Sequence, residues 1–508
     1  MPSPAQAVLL SWSIPPAASF ALALTALLYL RGWLLMRRAG VPFLPLWRAA
    51  SFLLGLLSLW IALASPLDTF SGFVLTAHML QHMILMMIAP PLILMGAPLI
   101  PLVRGLPVFA AREFAGPFLN WRAATRLGNA LIHPAVALII MGAAMFAWHT
   151  PRLYELALAS GSWHEVEHAC FFLASLIFWW PVIQPWPSHT RRPRWILVPY
   201  LLIGDLQNTV LSAILVFSDR LIYPSYGTTP RLFGFSALAD QAAAGAIMWV
   251  IGSTVFLIPA TVIAVQLLAS RRQSASHIPV RAPESQAIDA AFATVRRLPS
   301  PLKFLQSRFN AKTIEAASFV VLFVVAGLCL TALASAGSDD DDQALRLSQT
   351  TGPFVVSVFA LPGNLETGLS EFNVLVQDRD SLQVVQDVGV TLEAKQEGSS
   401  QSTAAVRASS EDSENKLLQT AEVDLPAEGN WSLQVRVARD DQAAEITLPL
   451  RVVKPEGGIT IHWPFVIFGI LAAILLFTYW RRQRSAKGIR LQTSSAATSD
   501  DRSTAHLS

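Results

Sequence analysis

Histidines stand at 78 and 82 in Ala77-His-Met-Leu-Gln-His82 and again at 164 and 168 in His164-Glu-Val-Glu-His168. A fifth, His149, closes an apolar run in Ala147-Trp-His-Thr-Pro151. Residues four apart share one face of a helix, so each pair sets two imidazoles side by side, within reach of a common metal ion. A single HxxxH reads equally well as a hydrogen-bonded core histidine. Two pairs and a fifth histidine at one depth of a membrane point instead to a metal or haem site. The candidate ligands are therefore His78, His82, His149, His164 and His168. Copper suits them best, because imidazole binds both its oxidation states and the thioethers of Met79, Met83, Met86 and Met87 suit the cuprous form. Only Met86 continues the face of residues 78 and 82, and the other three methionines read as packing. The two cysteines, Cys170 and Cys329, lie inside apolar runs and form no CxxC motif. Cys170 comes two residues after His168, points away from it, and reads as core.

These residues need helices to hold them. The chain has 508 residues, 53% hydrophobic and 14% charged, with a mean hydropathy of +0.46, the balance of a polytopic membrane protein. Apolar stretches long enough to span a bilayer run at 17–36, 49–65, 74–96, 131–148, 163–183, 195–217, 241–268, 315–334 and 463–480. No lysine or arginine precedes Arg31 and no small-residue cleavage site follows the first run, so the first span is expected to remain as a helix. One set of loops carries 25 basic residues, against Arg152, Arg220 and Arg231 in the short loops opposite. By the positive-inside rule the amino terminus is outside and the carboxyl terminus cytoplasmic, with all five histidines toward the outer face. Of the 34 acidic residues, 21 fall between Asp339 and Glu456, giving an acidic outer segment.

The expected fold is an all-α polytopic membrane bundle, a seven-helix core plus two further transmembrane helices, with an inserted extracytoplasmic all-β Ig-like sandwich. The core covers 1–270, a basic cytoplasmic connector 271–314, helix eight 315–334, an acidic linker 335–349, the sandwich 350–455, helix nine 463–480 and a disordered tail 481–508. Seven alternating segments between 353 and 453 supply the expected strands. Residues 278 to 461 contain no histidine or methionine, so the sandwich is expected to serve as a docking or spacer domain and not as a copper site. The Asp339–Asp342 run reads as a solvated linker. Within the core, Asp205 near mid-span needs a partner in the bundle, with a ligand histidine as the candidate. Asp240 at the outer boundary reads as a helix cap or a group near the ion, so Asp205, Asp240 and Met86 form the candidate supporting set. Pro90 and Pro91 predict a kink below the histidines.

Several motifs, taken in order, resemble the CtaG family of Caa-type cytochrome c oxidase assembly factors. They are Ser65-Pro-Leu-Asp68, Ala77-His-Met-Leu-Gln-His82, Ala89-Pro-Pro91, Trp148-His-Thr-Pro-Arg-Leu-Tyr154, His164-Glu-Val-Glu-His168 before Phe178-Trp-Trp-Pro181, and Asp240-Gln-Ala-Ala-Ala-Gly245 with Met248-Trp249. The resemblance covers about residues 20–268. It implies a non-enzymatic assembly factor of the bacterial inner membrane that handles copper for oxidase subunits, with a periplasmic copper donor as a further partner and no role for nucleic acid. Two other readings stand beside it. A haem-binding redox or haem-modifying protein would use two facing histidines as axial ligands. A copper transporter would continue polar or sulfur groups to the inner face, where the spans are mostly apolar and His133 stands alone.

Overall fold

The computed structural model describes residues 4–40, 45–107, 122–185, 193–274, 344–361, 365–398, 402–411 and 413–454. The connector beyond 274, helices eight and nine, the Asp339–Asp342 run and the tail lie outside the described residues. A short α1 (Pro4–Leu10) leads to α2 (Pro16–Arg38), α3 (Leu46–Ala64) and the single turn α4 (Pro66–Thr69). Proline marks these starts, where its missing N–H leaves nothing unsatisfied. Ser65 ends α3 and caps α4, its Oγ accepting from the Leu67 N–H at 3.3 Å.

Just before Pro90 and Pro91, where a kink is expected, the helix contains a π turn. Helix α5 (Leu75–Met83) passes through π residues Ile84–Ile88 into α6 (Ala89–Met95). Pro90 has no N–H to offer the carbonyl of Met86 four residues back, and Trp179 Nε1 donates to that carbonyl at 3.1 Å. Helix α7 (Leu99–Gly105) then turns back against α2. A Cβ on Gly105 would meet the Leu28 carbonyl oxygen at 1.8 Å, and one on Gly32 the Pro101 oxygen at 1.8 Å. Only glycine at both places lets the two backbones come so close.

Next come α8 (Arg122–Leu131), α9 (Pro134–Trp148), α10 (Pro151–Ala159) and α11 (Gly161–Ile183). They are followed by a 3₁₀ turn at Arg194–Ile196, α12 (Leu197–Phe217), α13 (Ser225–Thr228) and α14 (Ala237–Ser274). Helices α9 and α10 meet at 70° across His149 and Thr150, because the residue before Pro151 is held extended. Among the described residues six helical stretches are long and apolar enough to cross a membrane, seven if this bent pair is one span. Each of the seven spans expected up to residue 268 overlaps one of these. Leu54 and Leu57 on α3, Ile139 on α9 and Val250 and Val262 on α14 are exposed, an apolar periphery suited to lipid. Inside, Met79, Met83, Met86, Met87, Met141, Met145 and Met248 are buried in one cluster with Phe171, Phe178 and Trp180.

The remainder forms two four-stranded antiparallel sheets packed about a single core. The strands are β1 (Ala344–Thr351), β2 (Phe354–Leu361), β3 (Gly368–Asp378), β4 (Gly389–Gln396), β5 (Val406–Arg407), β6 (Gln419–Leu425), β7 (Gly429–Arg439) and β8 (Gln442–Val452). Sheet order is β1-β2-β3-β6 and β5-β4-β7-β8. Period-two burial carries this region: Trp431, Leu433, Val435 and Val437 on β7 and Ala444, Ile446, Leu448 and Leu450 on β8 all point inward. The seven expected strands all have counterparts, and β1 is additional. It is a polar edge strand, with Ser348, Gln349 and Thr350 exposed, so its sequence reads as part of the linker. A separate apolar cluster joins the β region to the bundle: Phe359, Leu375, Val384, Leu417 and Leu418 pack with Ala7, Phe70, Phe73 and Leu232.

Candidate metal centre

Helices α5 and α11 bring the two histidine pairs face to face. His78 and His82 come from α5; His164 and His168 lie one turn apart on α11, with Glu167 on the same face. Ring centroids are 4.3 Å apart for His78 and His82, 5.1 Å for His78 and His164, 4.2 Å for His164 and His168, and 5.4 Å for His82 and His168. Glu167, absent from the sequence-derived set, is fully buried. Its Oε2 sits 3.7 Å from His78 Nε2 and 3.9 Å from His82 Nε2. Its signal was present in the sequence, since position i+3 from His164 is also a same-face position.

One ligand atom from each of His78, His82, His164 and Glu167 lies within 4.8 Å of the others. In a tetrahedral site with bonds of about 2.0–2.1 Å, ligand atoms stand about 3.3 Å apart, so the set closes on one ion with small side-chain movements. The polar atoms are also free to do so. His78 Nε2, both ring nitrogens of His82, His164 Nε2, His168 Nε2, His149 Nε2 and both Glu167 oxygens are buried without a hydrogen-bond partner. Such atoms are rare in folded proteins and ask for an occupant.

Surrounding groups set the imidazole tautomers. Tyr226 Oη donates to the Ser71 carbonyl at 2.6 Å and lies 3.4 Å from His78 Nδ1. Its one proton is spent on Ser71, so His78 Nδ1–H is the donor and Nε2 keeps the lone pair. His149 Nδ1 sits 2.8 Å from the Met145 carbonyl, which can only accept, and this leaves His149 Nε2 as the free acceptor. Tyr154 joins the Tyr226 hydroxyl at 3.2 Å and stacks on Tyr223 at 3.8 Å; Tyr223 Oη donates to the His149 carbonyl at 3.2 Å. Tyr223 and Tyr226 lie in the loop between α12 and α14, and burial pushes both hydroxyls above the usual tyrosine range, so they stay protonated donors. Nothing in the sequence alone ties these tyrosines to the histidines.

The three supporting candidates occupy different places. Asp240 caps α5, accepting from Leu75 N at 2.7 Å, Thr76 N at 3.1 Å and Thr76 Oγ1 at 2.5 Å, and so holds the helix that bears His78 and His82. Asp205 finds its partner on α14, where Ser253 Oγ donates at 2.7 Å, and not in a histidine. Met86 falls within the π turn, and its side chain is buried in the apolar cluster. Gln81, between the two histidines of α5, donates to Asp68 Oδ1 at 2.7 Å and to the Ala62 carbonyl at 2.9 Å, tying α5 to α3 and α4.

Comparison with known proteins adds the family. The cytochrome c oxidase caa3 assembly factor family matches residues 27–270. The membrane core, residues 27–270, is thus similar to that family. The matched region holds every histidine and tyrosine of the centre, whereas the β region lies beyond it. An uncharacterized protein of Mycobacterium leprae is 25% identical over 269 residues, which cover 52% of this chain and 40% of the relative. Uncharacterized proteins of Mycobacterium bovis and Mycobacterium tuberculosis are each 24% identical over 251 residues, 48% of this chain and 37% of theirs. The chain thus spans about two fifths of the length of these curated relatives. No solved structure matches it.

Proposed function

We propose that this chain is a membrane assembly factor for a cytochrome c oxidase that holds copper at His78, His82, His164 and Glu167 and passes it to an oxidase subunit by ligand exchange. The observation that carries the reading is the convergence of four ligand residues whose buried nitrogen and oxygen atoms have no other partner. Three imidazoles and a carboxylate suit divalent copper or zinc, and copper binds such donors more tightly. The buried methionines are left to packing. Copper here is cargo, so the site needs no reaction of its own, and the role is non-enzymatic.

On this reading the protein works in a bacterial inner membrane with the centre toward the outer face, receives copper from a periplasmic donor, and uses the β region to dock partners. Full-length protein purified in detergent tests it by metal content and by visible and electron paramagnetic resonance spectra. Copper should copurify or load at the centre and be lost from a His78→Ala, His82→Ala double variant. A strong haem band in the wild type would sink the proposal in favour of the haem reading. Unchanged copper in the double variant would remove the α5 pair from the site.

A further inference from the structure

The centre offers more ligand atoms than a single ion takes. His78, His82, His164 and Glu167 complete a four-coordinate site, yet three buried imidazole nitrogens remain without partners: His82 Nδ1, His149 Nε2 and His168 Nε2. Each is a standing cost in the empty protein. They gather around Phe171, whose ring lies 4.8 Å from His82 and 5.9 Å from His149. His168 is one turn before Phe171 on α11, with its ring 5.4 Å from that of His82.

His149 is the telling member. It stands outside the four-residue set, but its Nδ1 is fixed on the Met145 carbonyl at 2.8 Å and its own carbonyl is held by Tyr223 at 3.2 Å. That arrangement pins one tautomer and turns a lone pair inward, the way metal-binding histidines are held by their neighbours. A histidine that merely filled space at the 70° bend between α9 and α10 would need the Met145 bond too, but would not leave its Nε2 buried without a partner.

We propose that His149, His168 and the second nitrogen of His82 form a neighbouring position for a second copper ion, so that the centre is binuclear with His82 shared between the two ions. An imidazole that loses its N–H proton to water on metal binding becomes an imidazolate, whose two nitrogens each carry a lone pair and serve both ions. With His149 Nδ1 kept on the Met145 carbonyl, rotation of the His168 side chain toward His149 completes the position. The second position rests on the reading of the first as a copper site.

Copper-loaded, desalted full-length protein in detergent provides the test through copper per chain and electron paramagnetic resonance. Wild type should hold two copper ions and show the broadening and half-field signal of two cupric ions close together. His149→Gln, His168→Gln and Glu167→Gln should each hold one, without the half-field signal, while melting temperatures stay near wild type. One copper in the wild type, unchanged in His149→Gln, overturns the second position and leaves the first standing. Two coppers retained in both His149→Gln and His168→Gln also overturn it. No copper in the wild type overturns both positions.

Discussion

Removing the Asp240 carboxylate should loosen the histidine centre without touching a histidine. Asp240 is the cap of α5 although it belongs to α14, and its oxygens accept from Leu75 N at 2.7 Å, Thr76 N at 3.1 Å and Thr76 Oγ1 at 2.5 Å. A cap replaced by alanine costs about 0.5–2 kcal/mol, and hydrogen bonds to charged groups contribute about 1.5–3 kcal/mol each. Three bonds sharing one partly exposed carboxylate do not add, so Asp240→Ala should cost about 2 kcal/mol and Asp240→Asn, which keeps one carbonyl oxygen, about 1 kcal/mol. At tenfold per about 1.4 kcal/mol, the closed first turn loses about 30-fold and about 5-fold against its frayed form. The amides of Ala77 and His78 both bond to the Val74 carbonyl, at 3.1 and 3.3 Å, so fraying carries His78 with it. Hydrogen exchange across residues 75–78 should accelerate by about those two factors, and apparent copper affinity should fall by no more than the same amounts. Wild-type protection and wild-type affinity in Asp240→Ala would refute the coupling between cap and centre.

Three further outcomes follow from the packing and the loops. Gly105→Ala places a methyl 1.8 Å from the Leu28 carbonyl oxygen, so it should cost at least about 3 kcal/mol; a wild-type melting temperature in detergent would show that the α2–α7 contact gives way freely. Phe359 packs edge-on against Phe73 at 5.5 Å and belongs to the bundle contact, not to the sandwich core. Phe359→Ala should therefore weaken docking by about 3 kcal/mol while leaving the sheets folded, read as faster exchange over 70–77 with unchanged β-sheet circular dichroism. Asp378 accepts from the Ser381 N–H at 2.9 Å, Ser381 Oγ at 2.7 Å and the Asp380 N–H at 3.2 Å, and these bonds hold its carboxyl below the usual range. Its contribution to the β3–β4 turn is thus complete above about pH 4 and lost as pH falls from there through the lowered value. Asp378→Asn should flatten that part of the acid melting profile, and an identical profile in the variant would contradict the assignment.

The spans up to residue 268, the alternating strands and the sharing of one helix face within each histidine pair were legible in the sequence: a long apolar run marks a span, and a period marks the rest, 3.6 for His78 and His82 and two for Trp431 to Val437. What escaped depended on contacts between distant segments. Glu167 shared the face of His164, but a buried carboxylate between facing imidazoles becomes visible only once α5 and α11 are paired. Tyr226 lies 148 residues from His78, and Asp240 caps a helix 165 residues away, where local pattern has no reach. Strand β1 escaped for the opposite reason, since an edge strand with three exposed polar residues in a row carries too little apolar alternation to register. The irregularity at Pro90–Pro91 was legible in place but not in form, since a π turn whose Met86 carbonyl is taken by Trp179, 93 residues away, has no local signature.

The β region reaches the centre along two contact routes that meet at His78. One runs through the chain itself: Phe359 and Leu375 pack on Phe70 and Phe73, and Val74 and Ala77, immediately before His78, lie against the same cluster. The other runs through the α12–α14 loop. Gln377 Nε2 donates to the Arg231 carbonyl at 2.8 Å, Arg231 Nη2 donates to the Tyr226 carbonyl at 2.6 Å, and the Tyr226 hydroxyl stands 3.4 Å from His78 Nδ1. A displacement of the sheets therefore reaches the same imidazole from its backbone side and from its Nδ1 side. His82, a turn deeper, is reached less directly: its neighbour Gln81 donates to Asp68 and Ala62, and Asp68 in turn accepts from Ser71, whose carbonyl takes the Tyr226 proton.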